Sequence, residues 1–349
     1  MVKVGVIGCG KVAQIRHIPE YLDNPDVKLI GLYDLNLHRA QELADRFQCR
    51  AYASVEELLA DTEIDAVSIC AANHVHAELS IAALNAGKHV LCEKPMATTL
   101  KDCQAMVDAA EKAGRILMIG QNQRFAKAHI EAKKLIQRGD IGKVLTFKTT
   151  FGHGGPETWS IDAGPQNWFF DKKRAVMGAM ADLGAHKTDL IQFLLDDRSV
   201  ETTARICTLD KRDSSGELIG VDDNSICIYR MEGGAIGTMT ASWTYYGGED
   251  NSTVIYGSEG VLKIYDDPRF CLEVTRRDGG KVFYDLDQIQ TNDHQTKSGI
   301  IDAFVEAIEQ GTDSEVSGKS VLNAMKAIFA SLKSSETGRT VGIDEEELL

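Results

Sequence analysis

The sequence predicts an α/β protein with two domains: a doubly wound parallel sheet, then an α+β domain with a large, mostly antiparallel open sheet. Short apolar strands alternate with helices in the first third of the chain, whereas long strands joined by glycine turns dominate the rest. The 349 residues also exceed the roughly 250–300 at which a single core usually stops growing. We therefore expect one domain over residues 1–121 and a second over residues 122–349.

The first domain is expected to alternate strand and helix throughout. Strands are expected over residues 3–7, 27–33, 66–71, 89–92 and 116–120. Helices are expected over residues 11–22, 37–47, 74–86 and 99–113, with a short helix starting at the Ser54 capping box. Near-continuous apolar strands between helices are typical of a parallel sheet that is covered on both faces.

The second domain changes character to long strands with few helices. Strands are expected over residues 144–151, 200–209, 224–231, 235–244, 253–256, 261–265 and 271–276, and helices over 127–138, 177–195, 299–309 and 320–334. Turns at residues 233–234 and 278–280 predict hairpins. Met239, Ala241 and Trp243 alternate on one strand face, which fits an internal core or a subunit interface; the interface is the favoured interpretation.

Composition and charge narrow the classes of partner. The formal net charge is −14 without basic blocks, so neither nucleic acid nor an anionic membrane is an expected partner. No apolar run reaches the length of a membrane span, and no charged-then-apolar leader precedes the first strand, so a cytoplasmic protein is expected. The eight cysteines include no C-x-x-C pair, which favours reduced thiols over disulfides or a metal site.

The first strand ends in a glycine turn that predicts dinucleotide binding. Residues 8–13 read Gly-Cys-Gly-Lys-Val-Ala, a G-x-G-x-x-A pattern between a strand and a helix. Gly8 permits the tight turn, Gly10 carries no side chain that would hold a pyrophosphate away, and Ala13 lets the helix lie close to the strand. Cys9, Lys11 and Val12 would then lie along the phosphates at the helix N-terminus.

An acidic residue follows the second strand at the spacing expected for a ribose contact. Asp34 lies 34 − 8 = 26 residues after Gly8, and a carboxylate there favours NAD because it repels a 2′-phosphate. Arg39 and His38 lie nearby, so NADP stays open as the cofactor.

Two further groups of residues carry candidate chemistry. Lys94, in Glu93-Lys94-Pro95, follows a strand end, where doubly wound sheets bind ligands, although an isolated tripeptide of this kind is more often a surface loop. Asp182 and His186 have i, i+4 spacing and Asp189 follows three residues later, so a helix would place a carboxylate on each side of the imidazole. A helix cap with a structural histidine is the equal alternative. Gly184 suggests a close approach of cofactor or backbone.

Together, these motifs resemble the glucose–fructose oxidoreductase, inositol dehydrogenase and rhizopine catabolism oxidoreductase family. The resemblance rests on G-x-G-x-x-A, Glu93-Lys94-Pro95 and the D-x-G-x-H-x-x-D-L run over residues 182–190, and covers nearly the whole chain. It implies an N-terminal Rossmann domain and NAD(P)-dependent oxidation of a secondary alcohol on a sugar or cyclitol. It also implies that Lys94 is the active-site lysine, Asp182 the substrate-binding carboxylate and His186 the general acid/base.

The resemblance also suggests further ligand contacts. Cofactor contacts are expected from two other segments and from the Glu93-Lys94 pair: Ala71, Asn73, His76, Glu93, Lys94, Asn122 and Arg124. Substrate contacts are expected from Asp182 and His186 and from four aromatic or polar side chains that suit a polyhydroxylated ring: His153, Trp168, Asp171 and Tyr245.

The expected function is that of an NAD-dependent sugar or inositol dehydrogenase acting on a small polyol. Two alternatives remain open: a glycoside-processing enzyme that oxidises its substrate transiently, and a non-catalytic NAD-sensing regulator. The presence of Lys94, Asp182 and His186 is an argument against the regulator. A homodimer or homotetramer formed through the C-terminal sheet is expected.

Overall fold

The computed structural model describes residues 1–289 and 297–344, which form two compact units. The first unit comprises residues 1–121 and 297–322, and the second comprises residues 122–289 and 323–344. The sequence-based division assigned everything after residue 121 to the second domain. The structure differs because a helix late in the chain packs with the first strand.

A six-stranded parallel sheet organises the first unit. Its strand order is β3-β2-β1-β4-β5-β6, and each neighbouring pair is parallel. The strands are β1 Val2–Ile7, β2 Val27–Tyr33, β3 Arg50–Ala51, β4 Ala66–Ile69, β5 His89–Cys92 and β6 Leu117–Ile119. The order reverses between β1 and β4, so the loops after these two strands flank the crevice where doubly wound sheets bind ligands.

Helices cover this sheet, and three of the five described below begin at a side-chain cap. They are α1 Ile18–Asp23, α2 Leu37–Phe47, α3 Val55–Ala60, α4 His76–Asn85 and α5 Leu100–Ala113. The cap predicted from sequence forms at Ser54, whose side chain accepts from Glu57 N. Asn36 and Thr99 add two more by accepting from Arg39 N and Asp102 N. The predicted helix over residues 11–22 differs, because Ala13–His17 adopts a π-helical turn before α1.

A nine-stranded sheet forms the centre of the second unit. Its order is β14-β13-β12-β11-β7-β10-β9-β8-β15, and among the described residues only β7 and β10 pair in parallel. The strands are β7 Val144–Gly152, β8 Ser199–Cys207, β9 Asn224–Met231, β10 Ile236–Ser242, β11 Thr253–Gly257, β12 Gly260–Asp267, β13 Phe270–Arg276, β14 Lys281–Tyr284 and β15 Val341–Gly342. Both predicted glycine turns join antiparallel neighbours, β9 to β10 and β13 to β14. The predicted fold class is therefore confirmed.

The second unit's helices include the one that carries the predicted acid/base residues. They are α6 Lys127–Gln137, α7 Lys172–Ala175 and α8 Ala185–Leu195, and a π-helical turn, Met180–Gly184, leads directly into α8. Later in the chain, α9 Ile300–Gln310 lies in the first unit, and α10 Gly318–Thr337 begins there and continues in the second. Across residues 1–289 and 297–344, every helix is too short or too polar to traverse a bilayer.

The interface prediction for the β10 face is wrong. Met239, Ala241 and Trp243 are fully buried within this chain, because the Met180–Gly184 turn packs against them. A Cβ on Gly184 would lie 3.3 Å from Met239 Cε and 3.5 Å from Ala241 Cβ, so the close approach at Gly184 is made by β10. The opposite face of the same sheet carries the exposed apolar side chains Leu145, Ile226, Ile228 and Ile236.

Candidate active site

The glycine turn after β1 has the shape that a dinucleotide requires. Gly8 has a φ of +94°, and a Cβ there would lie 2.5 Å from the carbonyl oxygen of Cys70 in the loop after β4. At Gly10, by contrast, a Cβ would meet no described atom within 4 Å. The turn is therefore tight at Gly8 and open at Gly10, which leaves room for a phosphate against the backbone. Lys11 and Val12, both half-buried, lead from Gly10 into the π-helical turn.

Asp34 lies at the end of β2 and is fixed by main-chain N–H groups. Its Oδ2 accepts from Cys9 N at 2.7 Å, and its Oδ1 accepts from Asn36 N at 2.7 Å. Arg39 Nη1 lies 3.9 Å from Oδ1. Burial raises the pKa of the Cys9 thiol to about 12, so this cysteine is an inert packing residue of the turn.

A buried hydrogen-bonded pair holds the first π-helical turn against the end of β5. His17, fully buried at the end of that turn, has Nε2 2.8 Å from Glu93 Oε1 and Nδ1 2.9 Å from Ser68 Oγ. Burial alone would raise the pKa of Glu93. The hydrogen bond and the charge of His17 lower it by more than burial raises it, so the pKa is about 2. Glu93, predicted to contact the cofactor, is thus bonded to its own unit.

His76 connects the loop after β4 with the turn that carries Lys94. Its Nδ1 lies 2.8 Å from the carbonyl oxygen of Pro95, and its Nε2 lies 3.0 Å from that of Ala71. Burial lowers the pKa of His76, and the two carbonyl contacts oppose that shift. His76, predicted as a cofactor contact, therefore fixes the loop that presents Ala71 and the buried Asn73.

Lys94 lies two residues after Cys92, the last residue of β5, and is half-buried. The Lys94–Pro95 peptide bond is cis. Gly120 keeps this region compact, since a Cβ there would lie 2.9 Å from Glu93 Oε2. The lysine is therefore presented at the carboxyl end of a parallel strand, as the sequence predicted.

In the second unit, Asp182 is held among aromatic and imidazole groups. The indole Nε1 of Trp243 donates to Asp182 Oδ2 at 3.0 Å, and His153 Nε2 lies 3.8 Å from the same oxygen. Gly155 N donates to His153 Nδ1 at 3.0 Å. An amide can only donate, so in the neutral ring the proton lies on Nε2, towards Asp182. Asp182 is therefore buried beside the imidazole of His153.

His186 follows Asp182 one turn later, as the second residue of α8. It is buried, and its ring centroid lies 6.1 Å from that of Phe151, which in turn lies 6.0 Å from His153. Phe151 therefore stands beside both histidines and provides an apolar wall next to the acid/base candidates.

Asp189, expected to flank His186, is bound by Arg124. Asp189 Oδ2 accepts from Arg124 Nε at 2.7 Å, and its Oδ1 accepts from Arg124 Nη2. This buried pair ties the short turn Asn122–Phe125 to α8. It gives Arg124 a structural task, which is an argument against the predicted cofactor contact. Asn122 begins the same turn and is half-buried.

The other predicted substrate residues divide into two groups. Trp168 stacks on Phe169 at 3.9 Å between centroids, and Phe169 meets the Trp243 ring at 6.4 Å, so Trp168 belongs to the aromatic cluster near Asp182. Tyr245 packs over Gly152, where a Cβ would overlap its ring. Asp171, by contrast, is exposed and caps α7 by accepting from Lys173 N. The structure does not bring Asp171 to the cluster.

Sequence reasoning overlooked a buried lysine next to His186. Lys187 is fully buried and donates to the Asn251 carbonyl oxygen at 2.9 Å. Burial lowers its pKa to about 7. Burial and the charge of Lys187 likewise lower the pKa of His129 to about 3. The signal in the sequence was that the residues one helical turn before and after Lys187 are apolar or small, namely Leu183, Gly184, Leu190 and Ile191.

Fold and site together define a class of protein, a dinucleotide-binding oxidoreductase whose second unit contains a large, mostly antiparallel sheet. A family model described as an oxidoreductase family with an NAD-binding Rossmann fold matches residues 2–121, and the GFO/IDH/MocA C-terminal domain model matches residues 129–263. The chain therefore belongs to the GFO/IDH/MocA oxidoreductase family and is an NAD-dependent oxidoreductase. The predicted family, enzyme class and cofactor are confirmed.

Similar proteins cover both units. Levoglucosan dehydrogenase of Pseudarthrobacter phenanthrenivorans is 32% identical over 248 residues, which span 66% of this chain and 63% of that protein. Myo-inositol 2-dehydrogenase of Thermotoga maritima is 26% identical over 350 residues, with 98% of this chain and 99% of that protein covered. A solved structure of levoglucosan dehydrogenase with NADH and levoglucosan has a TM-score of 0.86 at 26% identity, with 99% and 100% of the two chains covered.

Proposed function

We propose that this protein oxidises a secondary alcohol of a sugar, a sugar derivative or an inositol, or catalyses the reverse reduction. The observation that carries the proposal is the buried Asp182, bonded to the Trp243 indole beside His153 and followed one turn later by His186. A carboxylate among aromatic rings suits a ring that is polar at its edge and apolar on its C–H face. The levoglucosan and inositol dehydrogenases similar to this chain support that substrate class.

Each of the three proposed catalytic residues has a distinct task. His186 accepts the proton that leaves the hydroxyl group when the carbinol C–H bond is broken. Asp182 anchors a substrate hydroxyl and keeps the carbinol in register with the imidazole. Lys94 stabilises the developing negative charge on the carbinol oxygen.

The glycine turn fits NAD because it is open in front of Gly10 and because Asp34 is fixed at the end of β2. Bound NAD supplies the hydride acceptor. The proposed pyrophosphate contacts are Gly8, Cys9, Gly10, Lys11 and Val12. Asp34 and Arg39 are proposed to bind the adenosine ribose, and Ala71, Asn73 and Asn122 to contact the rest of the cofactor.

A second copy of this chain is the proposed partner of the exposed sheet face. Ile226 and Ile228 on β9 and Ile236 on β10 are each about half exposed. Arg230 and Glu201 form an ion pair beside them, so the patch carries both signs of charge at its rim and complements a copy of itself. We expect Ile228→Glu to lower the mass measured by light scattering, and an unchanged mass would contradict this assembly.

The proposed compartment is the cytoplasm. All eight cysteines lie in the described part of the chain and are free thiols. Burial raises the pKa of several of them, for example that of Cys92 to about 12, so these thiols resist oxidation. Free thiols in this number are typical of a reducing compartment.

NADH production against a panel of inositols, aldoses and anhydrosugars tests the function. The wild type is expected to form NADH with at least one polyol. His186→Ala and Lys94→Met are expected to lose about 10²-fold or more in turnover while still binding NAD, and Lys101→Met, on the exposed side of α5, serves as the matched control. Near-normal turnover in both variants contradicts the assignment. Glycoside cleavage without net NADH would identify the transient-oxidation alternative instead.

A further inference from the structure

We infer that Asp222 is a positioning residue that caps, from a distant point in the chain, the helical segment carrying Asp182 and His186. The inference rests on the roles proposed for those two residues. Asp222 lies just before β9, 44 positions after Gly178. Its carboxylate and carbonyl determine where the segment begins and therefore where its two reactive side chains stand.

Three consecutive N–H groups at the start of this segment all bind to Asp222. Gly178 N donates to Asp222 Oδ1 at 2.7 Å, and Met180 N donates to Asp222 Oδ2 at 2.7 Å. Between them, Ala179 N donates to the main-chain oxygen of Asp222 at 2.8 Å. The first N–H groups of a helical segment have no partner within it. A single residue satisfies three of them here and places a negative charge at the positive end of the segment.

The cap is buried, so water cannot replace the hydrogen bonds that are lost when the Asp222 carboxylate is removed. Asp222 is 9% exposed and the three donor residues are buried. Burial raises the pKa of Asp222, whereas the contacts from Gly178 and Met180 lower it. Ser225 Oγ donates to Asp222 Oδ2 at 3.1 Å and holds that oxygen from the other side. An amide left without its acceptor in this place would force the segment to shift.

Gly178 is required by the same contact. A Cβ on Gly178 would overlap the main-chain oxygen of Asp222 and reach 2.8 Å from its carbonyl carbon. The segment can approach Asp222 only because this position lacks a side chain. Among residues 176–180, the chain therefore has its glycine at the one place where the cap needs it.

The neighbouring Asp223 holds a different wall of the same site. Its carboxylate accepts from three consecutive N–H groups, those of Leu209, Asp210 and Lys211. Lys211 Nζ then donates to the Gly154 carbonyl oxygen at 2.6 Å and pairs with Glu157. Asp223 thus fixes the loop after His153, whereas Asp222 fixes the start of the helical segment with His186. The two adjacent carboxylates form a matched pair for mutagenesis.

The test compares Asp222→Asn with Asp223→Asn in the full-length protein. An asparagine keeps the size but offers one oxygen, so its NH₂ group faces an N–H donor. Asp222→Asn is expected to lower kcat for the polyol on the order of 10- to 100-fold, because the base moves relative to its substrate. The KM for NAD should stay unchanged. Asp223→Asn is expected to act mainly by raising the KM for the polyol.

Hydrogen exchange gives a readout that does not need turnover. Asp222→Asn is expected to accelerate exchange at the amides of residues 178–180 and to leave those of residues 209–211 protected, and Asp223→Asn should do the reverse. Wild-type protection of residues 178–180 in Asp222→Asn, or a wild-type kcat, overturns the inference. If the wild type oxidises no polyol, the proposed function fails and the exchange experiment still decides whether the cap exists.

A milder variant covers the case in which Asp222→Asn does not accumulate as folded protein. Ser225→Ala removes only the hydroxyl that holds Asp222 Oδ2. We expect a several-fold fall in kcat, an unchanged KM for NAD and faster exchange at Met180 N. A variant with wild-type kcat and wild-type protection at that amide overturns the inference equally.

Discussion

Each unit contains a π-helical turn at the head of a helix, and each turn meets a buried carboxylate, but the two carboxylates bind different parts of the turn. In the first unit, Glu93 bonds to the side chain of His17 at the end of Ala13–His17. In the second, Asp222 bonds to main-chain N–H groups just before and at the start of Met180–Gly184. Such turns recur at functional sites.

The difference follows from what each turn presents to its ligand. Before the first turn, the ligand is expected to meet the main chain of Gly10, so the carboxylate fixes a side chain on the far side and leaves the amides open. On the second turn, side chains carry the proposed chemistry, so the carboxylate takes the amides and fixes the main chain that bears them. The expected cofactor site thus uses main-chain groups directly. The proposed acid/base site uses side chains whose main chain is fixed by Asp222.

The largest effect is expected from adding one methyl group to the second turn's cap. Gly178→Ala places a Cβ on the Asp222 oxygen, and we expect a loss of turnover on the order of 100-fold or a failure to fold. Gly247→Ala is the matched control, since a Cβ there meets no described atom within 4 Å. Kinetics and thermal unfolding measure both. A Gly178→Ala protein that behaves like the control would remove the distinction between the turns.

A glycine-to-alanine substitution at Gly10, just before the first turn, should weaken NAD binding without changing the stability of the protein. Gly10→Ala meets no described atom within 4 Å, so the melting temperature should stay unchanged. Its methyl group would occupy the space expected for the pyrophosphate, so NAD affinity should fall on the order of 10-fold or more. Calorimetric titration with NAD measures this effect, and undiminished affinity would show that the phosphates lie elsewhere.

Glu93→Gln should weaken the first turn in a pH-dependent way. Replacing a charged acceptor of a buried hydrogen bond is expected to cost about 2 kcal/mol of unfolding free energy near neutral pH. The folded pKa of Glu93, about 2, lies below the usual glutamate pKa of 4.5. The stabilisation is therefore present above pH 4.5 and is lost as the pH falls towards 2. The free energies of unfolding of the wild type and Glu93→Gln, measured with denaturant across that pH interval, should therefore converge as the pH falls. Parallel curves would contradict the pairing.

Lys187→Met should produce the smallest effect, a change in how steeply the free energy of unfolding depends on pH. The folded pKa of Lys187, about 7, lies below the usual lysine pKa of 10.5. The unfolded chain binds more protons between these values, so this lysine makes unfolding free energy rise with pH there. The methionine variant should lack that contribution, whereas Lys148→Met, at an exposed position on β7, should keep it. Equal slopes in wild type and Lys187→Met would be inconsistent with a buried amine.

Much of the fold could be predicted because its signals are local. The glycine turn, the cap at Ser54 and the hairpin glycines each depend on residues a few positions apart. These patterns determine strand, helix and turn without knowledge of distant contacts.

Several contacts that the sequence did not reveal join residues that lie far apart in the chain. Asp189 bonds to Arg124, 65 positions away, and Trp243 bonds to Asp182, 61 positions away. Period-two alternation on β10 identified an apolar face but could not say whether a helix or a second subunit covers it. The cap by Asp222 was equally invisible, since the residue precedes a strand and the amides begin a helical segment elsewhere.

Single-turnover transfer of deuterium from a polyol labelled at its carbinol carbon tests the central claim most directly. The account predicts that wild-type protein moves the label to NAD with a primary isotope effect. His186→Ala, with NAD and polyol both bound, should do so about 10²-fold more slowly or worse. Label transfer at the wild-type rate in His186→Ala, or NADH without the label, would contradict proton removal by this histidine coupled to hydride transfer.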